Sequence, residues 1–151
     1  MRIIVLSEKL AQKYSYEITQ KAIIISITCP LEDNVLFADN NNILDIFNMK
    51  FNDLDSDVDE NYKAPIQSDF NGLKNFIDKY KDKIEEIVVH CGAGASRSPA
   101  CALAICDYLK EKITYKNMEY SEMNYNKKVY SLALNEFGIG KDESYYQDIF
   151  K

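Results

Sequence analysis

Apolar positions along the chain fall into two patterns, compact β-branched runs and stripes at helical spacing. Residues 2–6 (Arg-Ile-Ile-Val-Leu) and 22–28 (Ala-Ile-Ile-Ile-Ser-Ile-Thr) are runs of the kind that form buried strands, and Pro30 closes the second. Residues 43–51 read as another strand, and Asn52 to Asp69 as a long loop rich in acids and turn formers. Phe70, Leu73, Ile77, Tyr80 and Ile84 then recur at the spacing of one helical face, with Lys and Asp on the other. Ile87-Val88-Val89 is a short buried strand. Beyond a small-residue segment, Ser98-Pro99 opens an apolar helix reaching about Lys112, since proline suits a first helical turn. Tyr125, Val129, Leu132 and Phe137 mark a helix ended by Gly138-Ile139-Gly140, and a last short helix is expected over Glu143–Phe150. Strands alternating with helices predict an α/β domain, a small, mostly parallel sheet with helices on both faces. With 151 residues, no linker and no repeat, residues 1–151 read as one domain.

Composition narrows the partners. The chain has 18 basic and 24 acidic residues, a net charge of −6, which argues against binding nucleic acid or an anionic membrane. The apolar run at the N-terminus is too short for a signal peptide, and no segment has the roughly 18 apolar residues of a membrane helix. The four cysteines, Cys29, Cys91, Cys101 and Cys106, show no CxxC spacing and read as reduced thiols rather than zinc ligands or disulfides. These features together point to the cytoplasm. Oligomeric state is left open.

The basic residues themselves are unevenly divided. Sixteen are lysines and two are arginines, and Arg97 stands seven residues after the chain's one histidine, His90. The segment between them reads His90-Cys91-Gly92-Ala93-Gly94-Ala95-Ser96-Arg97-Ser98, which is strand, small-residue loop and helix start. Amides of a tight glycine-bearing loop converge on one point, and the following helix adds about half a positive charge there. That is an anion site before any side chain is counted. Arg97 can grip two oxygens of a phosphate with its planar fork, which lysine cannot match. Cys91, at the start of the same loop, lies in a field that favours thiolate and is placed to attack phosphorus.

His90-Cys91-x-x-Gly94-x-x-Arg97-Ser98 resembles the H-C-x-x-G-x-x-R-[ST] signature of the cysteine-dependent protein tyrosine and dual-specificity phosphatases. The resemblance is strongest over 70–110 and implies a phosphotyrosine protein phosphatase-like fold. It also implies hydrolysis of phosphate monoesters through a phosphocysteine, with no metal and no cofactor. It gives Cys91 as nucleophile, Arg97 with Gly92, Ala93, Gly94, Ala95 and Ser96 as the phosphate cradle, Ser98 as an aid to thiolate release, and His90 as a residue ordering the loop. A general acid is implied as well, an aspartate some 30–40 residues before the cysteine. Phe51-Asn52-Asp53-Leu54 resembles the strand-to-loop pattern of compact bacterial members and makes Asp53 the choice, with Asp55, Asp57 and Asp59 as alternatives. The Trp-Pro-Asp form of the receptor-type enzymes is absent.

Two other classes answer to the same residues. A phosphate-binding module without turnover would keep the loop and lack a working acid. A thiol-dependent arsenate reductase would need a second reactive cysteine, whereas Cys101 and Cys106 read as small core residues beside Ala100, Ala102 and Ala104. The expected substrate is a phosphoprotein, phosphotyrosyl first and phosphoseryl or phosphothreonyl next, or a small phosphoester. The loop positions 92, 93, 95 and 96 carry no cation to meet the extra phosphates of an inositol polyphosphate.

Overall fold

The computed structural model describes residues 1–56, 58, 60–117 and 124–140. Asp57, Asp59 and the helix expected over Glu143–Phe150 lie outside the described residues. In chain order the elements are β1 (Arg2–Ser7), α1 (Glu8–Ser15), β2 (Ala22–Thr28), β3 (Ile43–Lys50), a 3-10 turn (Gln67–Phe70), α2 (Leu73–Tyr80), β4 (Glu86–Cys91), α3 (Arg97–Leu109), β5 (Ile113–Lys116) and α4 (Lys127–Glu136). The strands form one sheet in the order β3-β2-β4-β1-β5, and every pairing is parallel. The expected α/β layering is therefore present.

The pattern explains the layers. Strands buried on both faces carry unbroken apolar runs rather than alternation, and β2 is buried at all seven positions. One face of the sheet packs Ile4, Leu6, Ile24 and Val88 against Ala11 of α1 and against Ile18. The other packs Ile3, Val5, Ile23, Ile25, Ile87 and Val89 against Leu73 and Ile77 of α2, Ile105 of α3 and Val129 of α4. Each fully buried Ile or Val contributes roughly 1.5–3 kcal/mol. Among the described residues no helix is long and apolar enough to cross a membrane.

Several expectations need correction. The stripe from Phe70 to Ile84 is not one helix. Gly72, at φ +88, takes a left-handed turn that few side chains tolerate. It separates the 3-10 turn from α2, and α2 stops at Tyr80 while Ile84 is buried outside it. The helix expected to reach Lys112 ends at Leu109, because Lys110 adopts a left-handed conformation (φ 58) and its N–H bonds back to Cys106 O. Helix α1 and strand β5 were not expected. The first is capped by Ser7, whose Oγ accepts the Leu10 N–H at 3.3 Å. The second is a four-residue edge strand, too short to stand out by its pattern.

For the site, the position of β4 matters most. It lies between β1 and β2, with Ser7 in register with Cys91 and Ser26 with His90. The loop after β4 thus leaves the carboxyl end of the central strand, the usual ligand position in an open α/β sheet.

Candidate active site

The segment that follows β4 turns back on the sheet before α3 begins. Gly94 sits at φ +75, and a Cβ placed there would lie 2.7 Å from Ser7 N and 2.8 Å from Leu6 C. Both are backbone atoms of β1 and cannot swing aside. Gly92 O accepts the Glu8 N–H at 3.0 Å, which ties the loop to the start of α1. Gly94→Ala is expected to cost roughly 1–3 kcal/mol of stability, the scale of a strained backbone position, and to abolish inorganic phosphate binding. Denaturant unfolding and phosphate titration check both effects. A variant as stable as the parent, with phosphate affinity intact, would show that the loop has room to relax.

Helix α3 starts without the usual cap. Ser96 stands at its N-cap position, yet its hydroxyl makes no bond to the first-turn amides and donates instead to Asp53 Oδ1 at 2.8 Å. The amides of the first turn are thereby left for an anion at the positive end of the helix. Arg97 and Ser98 follow as the first helical residues, both buried.

Cys91, only 2% exposed, ends β4 with its Sγ 3.2 Å from Ser98 Oγ. Nη1 of Arg97 donates to Phe51 O at 2.9 Å and to Cys29 Sγ at 3.5 Å, so the guanidinium is anchored along one edge. His90 is fully buried, and desolvation lowers its pKa from the ordinary value, leaving a neutral ring. A carbonyl only accepts, so Nδ1 carries the hydrogen and donates to Cys91 O at 3.1 Å. Nε2 therefore accepts from Ser26 Oγ at 2.6 Å. The ring holds the Cys91 carbonyl from within the sheet.

The structure brings the expected residues together in the following way. Gly92 and Ala93 are exposed, Ala95 and Ser96 half-buried, and Gly94 buried within the loop. Asp53 is exposed and reaches the loop through Ser96. Asp55 is exposed, accepts from Ser56 Oγ at 3.4 Å, and lines the wall of a cavity beside the loop. That cavity has a volume of about 490 Å³, bounded also by Asp53, Ala95, Ser96, Tyr125, Asn126 and Lys127. Cys101 and Cys106 are buried on α3, and burial pushes both thiols up to about 12.

Three residues at the site were not anticipated. Ser26 was signalled by interrupting the isoleucines of an apolar strand run. Cys29 follows β2, beside the carboxyl end of β4, and burial together with a hydrogen bond to Glu32 raises its pKa, with Arg97 acting the other way. Asn126 caps α4, its Oδ1 accepting from Val129 N at 3.0 Å, so the helix begins after it and Tyr125, read as part of the helical stripe, lies outside.

Comparison with known proteins gives this arrangement a family. Over 47 residues the chain is 49% identical to dual specificity protein phosphatase 1 of Mus musculus and of Rattus norvegicus, and 47% identical to that of Homo sapiens. The match takes in 31% of this chain and 13% of the length of each relative. Among solved structures, a human tyrosine phosphatase-like serine/threonine/tyrosine-interacting protein superposes with a TM-score of 0.49 at 20% identity, over 94% of this chain and 83% of that one. Tk-PTP in its active form superposes with a TM-score of 0.42 at 10% identity, over 99% of this chain and 89% of that one. A family model described as the dual specificity phosphatase catalytic domain matches residues 5–137. That span runs from β1 through the Cys91–Arg97 loop to the end of α4, and the chain belongs to the dual specificity phosphatase catalytic-domain family.

Proposed function

We propose that residues 1–151 form one catalytic domain that hydrolyses phosphate monoesters of proteins, phosphotyrosyl ones foremost, through a phosphocysteine intermediate. The observation that carries this reading is the convergence on one loop of Cys91 with Ser98 Oγ at 3.2 Å, of Arg97, and of Asp53 through Ser96.

Each group has a step. Phosphate sits against the loop amides, the start of α3 and the guanidinium of Arg97. The Cys91 thiolate attacks phosphorus and forms the S–P bond as the P–O bond to the leaving group breaks. Asp53 gives its proton to the departing oxygen. Asp53, now a carboxylate, takes a proton from water as that water attacks the phosphocysteine, and the S–P bond breaks to release inorganic phosphate. Ser98 Oγ–H donates to Sγ as the negative charge returns there, and His90 holds the Cys91 carbonyl throughout. Arg97 and the amides meet the charge that spreads over the equatorial oxygens. No step calls for a metal or cofactor.

Charge orders the substrates. No cation occupies loop positions 92, 93, 95 or 96, and Asp53 and Asp55 line the cavity beside the loop together with Lys127. Repulsion of a polyanion acts over about a Debye length, ~8 Å at physiological salt. At one salt concentration, kcat/KM for a phosphotyrosyl peptide is expected to exceed that for an inositol polyphosphate by at least about tenfold, or 1.4 kcal/mol in transition-state binding. A phosphoseryl peptide is expected to fall between them. Acid quenching during turnover of a labelled peptide should trap phosphate on Cys91. Binding without turnover would make the chain a phosphate-reading module, and a lead for the inositol compound would overturn the inference from charge.

A further inference from the structure

Asp53 occupies an exposed turn, where a carboxyl group on its own would sample many orientations. The turn is built by its neighbours. Asn52 N–H donates to Lys63 O at 2.7 Å, Asn52 Oδ1 accepts from Lys63 N at 2.7 Å, and Leu54 N–H returns to Asn52 O at 2.9 Å. None of these bonds touches the carboxyl group of Asp53. What holds it comes from far along the chain.

Asn126 Nδ2 donates to Asp53 Oδ1 at 3.0 Å and to Leu54 O at 3.0 Å. Its Oδ1 is engaged by Val129 N at the start of α4, which fixes the carboxamide plane and sends both hydrogens of Nδ2 the other way. Its backbone N–H donates to Ser96 O at 3.2 Å. One residue therefore ties together the acid-bearing turn and a helix start through its side chain and the phosphate loop through its backbone N–H.

Ser96 Oγ supplies the second donor to the same Asp53 oxygen, at 2.8 Å. An oxygen that accepts from two donors has no room for a proton of its own, so the transferable proton resides on Oδ2. Asp53 Oδ2 makes no hydrogen bond to any described residue. Preorganisation of this kind matters because a reacting group held in the productive geometry avoids the entropy of finding it.

We infer that Asn126 is a positioning residue for proton transfer. By clasping Asp53 Oδ1 and Leu54 O from the cap of α4, it holds the acid turn against the phosphate loop with Oδ2 as the oxygen that delivers the proton. This rests on the reading of Asp53 as general acid given above.

The test uses Asn126→Ser and Asn126→Asp. Both side chains still cap a helix. Neither offers the carboxamide donor, and the aspartate opposes Asp53 with a like charge. Hydrolysis rates are measured for a series of aryl phosphates of graded leaving-group basicity, alongside Asp53→Asn and the double variant Asp53→Asn/Asn126→Ser. For the most basic leaving groups, kcat in Asn126→Ser is expected to fall about 10- to 100-fold, the scale of one hydrogen bond to a reacting acid. For the least basic it should change by no more than about threefold, since a stable leaving anion needs no proton. Asn126→Asp should lose more than the serine variant. The double variant should be no slower than Asp53→Asn, and inorganic phosphate should bind Asn126→Ser, whose charge is unchanged, as it binds the parent. An equal loss across the series in Asn126→Ser, or additive losses in the double variant, would make Asn126 merely structural and overturn the assignment. If Asp53→Asn itself left the leaving-group dependence unchanged, the acid would lie elsewhere and the positioning role would fall with it.

Discussion

Cys91→Ser is expected to lose phosphate-ester hydrolysis by about 10⁵-fold or more, the scale on which removing a covalent nucleophile acts, while the fold is kept. The oxygen occupies nearly the place of the sulfur, but a hydroxyl is not ionised near neutral pH, and among the described residues the side-chain partner at that position is the Ser98 hydroxyl rather than a base. His90, the nearest base in sequence, points away from the nucleophile, with Nδ1 committed to the Cys91 carbonyl and Nε2 to Ser26. Ser98 Oγ remains within reach of the new hydroxyl, so the buried polar group keeps a partner and stability should change by no more than about 1 kcal/mol. The cradle is untouched, so the serine variant should bind inorganic phosphate as the parent does. Steady-state turnover, thermal unfolding and phosphate titration together separate loss of the nucleophile from loss of the site. A serine variant that kept more than a few per cent of the parent rate would rule out the phosphocysteine route.

What the sequence makes readable, and what it does not, follows from how far apart the interacting residues are. The Cys91–Ser98 loop is local: strand, turn and helix start lie within one stretch, and its His, Cys and Arg are scarce elsewhere in the chain. The layered α/β architecture was legible for the same reason, since runs such as Ala22–Thr28 announce buried strands without help from the rest of the fold. The end of α3 was hidden because Lys110, not glycine, takes the left-handed turn, so nothing in the residue type announces it. The split of the Phe70–Ile84 stripe was hidden for a different reason. Those side chains do point into one core, but from a 3-10 turn, a helix and a connecting segment that share no single helical axis. The clasp on Asp53 is the most distant of all. Ser96 and Asn126 lie 43 and 73 residues from it, and only the packing of α4 beside α3 brings the three together. An aspartate-rich loop offers several candidates to a reader of sequence, with Asp53 favoured there by the Phe-x-Asp-Leu resemblance alone, and in space Asp53 bonds Ser96 whereas Asp55 bonds Ser56.

Arg97→Lys is expected to lower kcat by about 10²- to 10³-fold with only a few-fold change in KM, the scale of removing one transition-state donor. The reason lies in how the guanidinium is held. Nη1 is spent on Phe51 O, while Nη2 lies over the loop, 3.3 Å from where a Cβ on Gly92 would stand. The remaining edge of the fork can face two oxygens at once, and those oxygens gain charge as the phosphoryl group transfers. A lysine ammonium would have to choose between Phe51 O and the phosphate, and it presents a point charge where a planar pair is needed. Burial adds a second handicap. Arg97 is 9% exposed and has no carboxylate in ion-pair contact among the described residues. Arginine keeps its charge in such a place, whereas a lysine buried there is pushed toward its neutral form. The defect should therefore deepen as pH rises, and the variant should regain part of its rate in mildly acidic buffer relative to the parent. Measuring kcat and KM separately across pH tests both parts. A raised KM with kcat unchanged at every pH would show that Arg97 grips the ground state and the transition state equally, and would remove it from the chemical step.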